Sequence, residues 1–527
     1  METLELLIGM LAAIAVVVTL AEHTRVPEPV LLVAAGLAVA LVPGLPEVEL
    51  DPELTLALFL PPLLYWAALH TNLRDPRRDL LPISWLAVGL VVVTTAAVAV
   101  LAHTALGLPW AVAAVLGAIV APPDPVAAVA VAGRIGMPRR IVTILEGEGL
   151  LNDATALVIY RMAVAAAVTG TFSAGEAAVE LVVAAVGGTV VGLAVAWAGS
   201  RVLRRVEEAA VENTIKLLLP YVAWLAAERL HASGVLAVLA CGLLMSRNWA
   251  AISSAARLQA RQLWDWLVFV LEGLSFILIG LQLRTVVEGI EGRSPVELAW
   301  AALALNLLVI AVRLAWVFPA SWLPRRLSPR LRERDPFPGW GPVTVIGWAG
   351  MRGVVSLALA LAVPTQVAGG GPFPERDLVV FLAFSVIVVT LVGQGLTLPL
   401  LVTRLGVVAP QERQAAAASH ALARLSEVAL ATLDAVDPED GKLSPELLDR
   451  LRERYRARLA HLDQQRDAGE QDADADAYHE LVAELLRAQR EELRRLREEG
   501  EVTPEVARRL HHDLDVEEAR LERQRRD

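Results

Sequence analysis

The sequence predicts an all-α polytopic membrane protein: about thirteen transmembrane helices in two inverted six-helix repeats, with helices 5 and 12 broken, and a helical cytoplasmic tail. Three observations predict it. First, 55% of the 527 residues are apolar before the 36 glycines are counted, whereas an ordinary soluble domain reaches roughly 45–50% with glycine included. Second, apolar runs of 14–29 residues recur along the first 410 positions, most of them long enough to cross a ~30 Å hydrocarbon core. Third, charge is segregated: of 105 charged side chains, 49 (29 acidic, 20 basic) fall in residues 411–527. Two domains are therefore expected, a transmembrane body over 1–410 and a charged helical tail over 411–527.

The spans follow in order from the apolar runs: 4–22, 28–44, 54–70, 82–105, 109–133, 140–168, 176–199, 213–230, 233–246, 263–283, 296–320, 341–363 and 377–402. Loop charge orients them. With the N-terminus outside, the inward loops contain 19 basic residues, from Arg25 through Arg74, Arg140, Lys216 and Arg257 to Arg334. The outward loops contain four: Arg229, Arg284, Arg293 and Arg376. Such alternation is the positive-inside pattern, and it places the tail in the cytoplasm. The N-terminal Met1-Glu-Thr-Leu-Glu5 lacks a basic segment, so the first apolar run is read as a retained span.

Two spans are interrupted. The fifth contains Ala121-Pro-Pro-Asp-Pro125, whose prolines cannot sit in an unbroken helix. The twelfth contains Gly347-Trp-Ala-Gly-Met-Arg-Gly353, three glycines and an arginine inside an apolar run. Irregular backbone at membrane depth is tolerated where protein buries it or where it lines a cavity. With the seventh span as linker, both breaks fall in the fifth member of a six-span repeat, and the odd offset inverts one repeat against the other. Paired breaks of this kind point to a transporter's binding site.

Ionisable residues inside spans are costly and functional by default. The densest group is Leu145-Glu-Gly-Glu-Gly-Leu-Leu-Asn-Asp-Ala-Thr155. On a helix, Glu148 and Asn152 stack one turn apart, Glu146 and Asp153 two turns apart, and Asp153 lies about 100° around from Asn152. Carboxylate, amide and freed backbone carbonyls are hard oxygen ligands suited to a small cation. An aspartate out of water is stable only when a proton or a cation neutralises it, so the two compete for one site. The cluster defines an ion or proton pathway without naming the ion.

These strings resemble the sodium/proton antiporters of the NhaP/NHE type. The 145–155 run resembles their Asn-Asp motif, Ala121–Val126 their broken-helix motif, and Trp348-Ala-Gly-Met-Arg-Gly-Val-Val-Ser356 their arginine-bearing broken helix. Asn213–Gly242 and Leu271–Leu283 are also similar to bacterial members, so the resemblance covers about residues 1–405. It implies a homodimer of thirteen-span protomers, each with a core domain moving elevator-like against a dimerisation domain, in a bacterial inner membrane. By position, Asp153 matches the carboxylate that takes cation and proton in turn. Asn152 matches a neutral neighbour that goes with electroneutral one-for-one exchange. The resemblance further assigns Pro123, through its carbonyl, and Asp124 to the ion site, and Glu148 with Arg352 to a structural ion pair. Glu146, Thr155 and Glu272 are secondary candidates. The chain departs from the pattern at Gly149 and Pro123, where the family usually has hydroxyl residues, and at Trp66, where some members have an acid.

The expected activity is exchange of Na⁺, or Li⁺, for H⁺, with no cofactor and no catalytic residues. A potassium/proton antiporter is the alternative within the class, because two hydroxyl ligands are absent. A cation channel or ion-sensing membrane protein is the alternative outside it. An aspartate-dyad intramembrane protease lacks both its sequence motifs and a use for the paired breaks. Monovalent cations, protons and the lipid bilayer are the expected partners. With a net charge of −11, mostly contributed by the tail, no nucleic acid is expected. The single cysteine, Cys241, excludes a disulfide framework.

Overall fold

The computed structural model describes residues 2–24, 26–40, 52–70, 85–170, 174–206, 208–247, 254–288, 290, 293–407, 411–435, 445–468, 473–498, and positions 510, 514 and 518. Arg25 and the basic segment 74–78 lie outside the described residues. The chain divides into two compact units, Met1–Val408 and Ala409–Asp527. The described residues form helices and no strand; one isolated bridge pairs Gln366 with Pro372. Among them, seven helical segments are long and apolar enough to cross a membrane, alongside shorter apolar helices.

The first unit opens with α1 (Glu2–Glu22), α2 (Glu28–Ala40) and α3 (Pro52–His70). A π-helical turn, Trp85–Leu90, leads into α4 (Val91–Leu106). The fifth run is broken as expected, into α5 (Trp110–Val120) and α6 (Pro125–Ile135). Then come α7 (Arg139–Thr169), α8 (Ala174–Leu203), α9 (Ala209–Arg229), α10 (Gly234–Arg247), α11 (Ser254–Glu288), α12 (Pro295–Leu327) and the short α13 (Pro329–Arg334). The twelfth run is broken into α14 (Trp340–Trp348) and α15 (Val354–Leu361). The last run combines α16 (Arg376–Val388), a π-helical turn (Val389–Gln394) and α17 (Gly395–Arg404). The second unit contains α18 (Gln411–Asp434), α19 (Pro445–Ala468) and α20 (Ala473–Glu498); within it Arg452 bridges Asp434 and Asp449, each at 3.1 Å.

Most buried apolar side chains of the first unit form two large clusters. Along α7, Ile141 and Leu145 belong to one, and Ala154, Leu157 and Ala163 to the other. Along α12, Leu305 and Val309 lie in one and Val317 in the other. The broken helix divides the same way, with α5 in the first cluster and α6 in the second. Between the clusters fall the buried polar residues Glu148, Asn152, Asp153, Arg313 and Arg352. Along α7 and α12 these polar side chains thus sit between two apolar stretches, inside the bundle.

Close backbone contact holds α11 to α2. A Cβ at Gly36 would stand 2.3 Å from the Ile277 carbonyl oxygen, and one at Gly280 would stand 2.4 Å from that of Val33. Small residues at such crossings let two helices pack where lipid gives them no hydrophobic drive. Lys216, counted above with the inward loop, instead lies within α9, buried and paired with Glu212 at 2.6 Å.

A second polar cluster anchors α14. The buried carboxylate of Asp335 accepts from Arg325 Nη2 at 2.6 Å and from Arg140, and its carbonyl accepts from Arg325 Nε at 3.0 Å. The first turn of α7, the last of α12 and the approach to α14 are thereby joined. Burial raises the Asp335 pKa, but the Arg140 hydrogen bond and the two guanidinium charges outweigh it and hold the carboxyl below its ordinary range. A depressed carboxyl contributes stability that is full above the unfolded value of about 3.9 and lost as pH falls through the native one. Asp335→Asn should therefore cost about 2–3 kcal/mol, read as a lower melting temperature in detergent, and by the same amount from about pH 5 to 8. A penalty that shrinks between pH 8 and pH 5 would contradict this account.

Candidate functional site

The two breaks meet. The backbone N–H of Asp124, in the first, donates to the carbonyl of Met351, in the second, at 2.6 Å. The Asp124 side chain caps α6, accepting from the Val126 N–H at 2.9 Å, with Pro125 preset at the first helical position. The same carboxylate lies against Gly353, where a Cβ would stand 1.6 Å from Oδ2, and within hydrogen-bond reach of the Val354 N–H. Asp124 thus faces the N-terminal ends of both α6 and α15. Arg352 serves the opposite ends: its Nε donates to the Val120 carbonyl at 3.0 Å, at the end of α5, and its Nη1 to the Gly350 carbonyl beyond α14. Helix N-termini are equivalent to about half a positive charge and C-termini to half a negative one. One acid and one base therefore neutralise four half-helix ends.

The π-helical turn of the last run completes this crossing. Thr390 Oγ1 donates back to the Val386 carbonyl at 2.7 Å and accepts the Arg352 N–H at 3.1 Å.

Helix α7 carries the Asn-Asp pair past the crossing. Asn152 is fully buried; its Nδ2 donates to the Pro123 carbonyl at 2.8 Å, tying α7 to the first break, and its Oδ1 has no partner among the described residues. Asp153 turns instead into a cavity of about 480 Å³. Asp124, Glu146 and Glu272 line the same cavity, with the 122–125 backbone, Ser356 and the apolar face of α3, and no basic side chain is among its lining residues. Asp153 accepts no hydrogen bond from the described residues and is 6% exposed. Four carboxyl groups around apolar walls, with no cation to answer them, form a site for protons or cations.

Gly149 also lines this cavity. A Cβ there would lie 2.2–2.9 Å from the ring carbons of Pro125, so a side chain at 149 would have to displace that ring.

The pairing of Glu148 differs from expectation. Its carboxylate accepts both Arg313 Nη1 and Nη2, at 2.6 and 2.9 Å, and Arg313 also donates to the Ile346 carbonyl at 3.1 Å. Arg352, the expected partner, is held by the backbone carbonyls of the half-helix ends. The guanidinium fork matches a carboxylate bidentately from the continuous α12, whereas free carbonyls are what surround Arg352. Arg313 lies inside an apolar run, and the sequence does not say which acid it meets. Of the remaining candidates, Thr155 is half-buried on α7 and is not among the residues lining the cavity. Arg161 and Glu228 pair with each other at 2.8 Å, between α7 and α9.

The fold and site define a polytopic helical membrane protein with a buried acidic site where two interrupted helices cross. The chain belongs to the sodium/hydrogen exchanger family: residues 9–404 match the family described as "Sodium/hydrogen exchanger, transmembrane". An uncharacterized Na(+)/H(+) exchanger of Mycobacterium tuberculosis is 35% identical, over 98% of this chain and 96% of its own length. The uncharacterized Na(+)/H(+) exchanger YjcE of Escherichia coli is 32% identical, over 98% of each chain. A Bacillus pumilus protein named as a sodium, potassium, lithium and rubidium/H(+) antiporter is 35% identical over 71% of this chain and 58% of its own. The sodium proton antiporter MjNhaP1 of Methanocaldococcus jannaschii shares the fold, with a TM-score of 0.59 at 20% identity over 77% of this chain and 99% of that one. The family is one of membrane transporters, and membership supports cation:proton antiport.

Two outcomes follow from the geometry. Arg313→Ala strands the buried Glu148 carboxylate and should cost about 3–5 kcal/mol, lowering the melting temperature in detergent more than Arg161→Ala, whose pair is partly solvated. Gly353→Ala, which drives a methyl into Asp124, should destabilise the crossing more than Gly369→Ala, which meets nothing within 4 Å. Equal melting temperatures within either comparison would contradict these assignments.

Proposed function

We propose that the protein is a secondary antiporter that exchanges Na⁺, or Li⁺, for H⁺ across a bacterial inner membrane. The observation that carries this reading is the Asp153 carboxylate, unpaired at the crossing of two broken helices and facing an acidic cavity without a basic side chain. Such a group is neutral only with a proton or a cation, and a site that holds either in turn exchanges them when it is exposed to each side alternately. Asp153 is the exchanging group. Asn152, with its unpartnered Oδ1, the Pro123 carbonyl and Asp124 supply further oxygen ligands or fix their positions. Glu146 and Glu272 draw cations into the cavity. Thr155 has a secondary place beside Asp153 on α7.

A single exchanging carboxylate with a neutral amide beside it suits electroneutral one-for-one exchange. Access alternates by elevator-like movement of the broken-helix core against a dimerisation domain, within a homodimer of thirteen-span protomers. The N-terminus is outside, and the 411–527 tail is a separate cytoplasmic domain. The printed name of the Bacillus pumilus relative, which includes potassium, together with the hydroxyl residues absent at 123 and 149, favours K⁺/H⁺ exchange as the second reading.

The test is proton flux in proteoliposomes with an internal pH-sensitive dye, challenged separately with Na⁺, Li⁺ and K⁺. Wild type should move protons in response to Na⁺ or Li⁺, and Asp153→Asn should fall to the rate of empty vesicles. A response to K⁺ alone would select the second reading, and no coupled flux with any cation would leave a channel or sensor. An imposed potential should leave the exchange rate unchanged, because net movement of one charge would feel about 2.3 kcal/mol per 100 mV.

A further inference from the structure

Many hydroxyl side chains in these helices share one arrangement. Ser275 donates to the Leu271 carbonyl at 2.7 Å, Ser385 to Leu382 at 2.8 Å and Thr390 to Val386 at 2.7 Å; the exposed Thr104, Thr189 and Thr214 do likewise. Each hydroxyl is satisfied by a carbonyl one turn earlier on its own helix. Ser356 does not share it: it is 1% exposed, and its Oγ has no hydrogen-bond partner among the described residues. Its position explains why: it stands in the first turn of α15, and the turn before it is the 349–353 break. Thr94 and Thr95 on α4 and the Tyr160 phenol on α7 are the other buried hydroxyls without a partner among the described residues, and none of the three lines the cavity. Ser356 does, together with Asp153, Asp124 and Glu272.

We infer that Ser356 supplies a hydroxyl ligand to the cation held at Asp153, from the second broken helix. The chemistry is that of a small monovalent cation, whose lost water is replaced by hard oxygen atoms. A hydroxyl oxygen adds a ligand without adding charge. It stands in for the hydroxyls that Pro123 and Gly149 do not provide. It also separates the two competing substrates: a carboxylate binds proton and cation alike, whereas a serine hydroxyl takes up no proton near neutral pH. Ser356 therefore favours the cation over the proton and sets the pH at which one displaces the other. This inference rests on the Asp153 reading above.

The experiment uses the full chain in proteoliposomes, with NaCl and KCl as separate probes and choline chloride as control. Ser356→Ala should raise the half-saturating cation concentration about tenfold, the effect of losing one neutral ligand, with maximal rate within about twofold of wild type. Where one proton competes with one cation, a tenfold weaker cation must be offset by about one pH unit, so the activity profile should move about one unit alkaline. Ser356→Thr, which restores the hydroxyl, should return both quantities toward wild type. In detergent, Ser356→Ala should melt like wild type in choline chloride but lose the stabilisation that NaCl or KCl gives. Half-saturation within twofold of wild type, a lower maximal rate at unchanged half-saturation, or failure of Ser356→Thr to restore would each overturn the inference. An active wild type with an inactive Asp153→Asn would then leave the antiporter reading standing. A wild type without coupled flux would overturn both.

Discussion

One hydrogen bond, from the Asp124 N–H to the Met351 carbonyl, marks where two chains of peptide dipoles are cut and laid across each other. Cutting a helix inside a membrane exposes unpaired N–H groups on one side and unpaired carbonyls on the other. Neither can reach water cheaply, so both must be answered by protein. Asp124 answers the two N-terminal ends and Arg352 the two C-terminal ends. Much of the surrounding structure exists to hold that arrangement: Thr390 caps the arginine's own N–H, Asn152 ties α7 to Pro123, and Gly353 leaves room for the acid.

With the half-helix ends neutralised by their own charges, Asp153 and the cavity remain outside the balance. Glu148, close by on the same helix, is fully satisfied by the Arg313 fork. Asp153 is satisfied by nothing among the described residues. The difference separates a structural charge from an exchanging one. Two carboxylates five residues apart, at similar depth and similar burial, take opposite roles because one meets a guanidinium and the other meets space.

The helical, apolar character of the body was legible in the sequence because lipid imposes a length and a polarity that few other environments demand. Both breaks were legible for a related reason, since Pro122, Pro123 and Pro125, and the three glycines with Arg352, contradict the helix around them. Asn152 and Asp153 stood out as polar residues where polarity is costly. Partners were not legible. Glu148 and Arg313 are 165 positions apart, and a sequence records that two arginines are buried without recording which one the acid meets. The two π-helical turns lie in ordinary apolar composition and left no signal. Ser356 was hidden because a serine near a helix start is commonplace. Only the location of the break, one turn earlier, sets it apart. Lys216, a charge near the start of the 213–230 run, gave no sign of its partner: it lies within a helix with Glu212 and Asn213, all three buried.

The interlock of Gly149 with Pro125 limits how this sequence can change over generations. A side chain at 149 has nowhere to go while the proline ring stands 2.2 Å from where its first carbon would be. A larger residue at 149 would push the proline ring aside, and with it the first turn of α6 that Asp124 caps. A change at one position of α7 would therefore be felt at the break on the neighbouring helix.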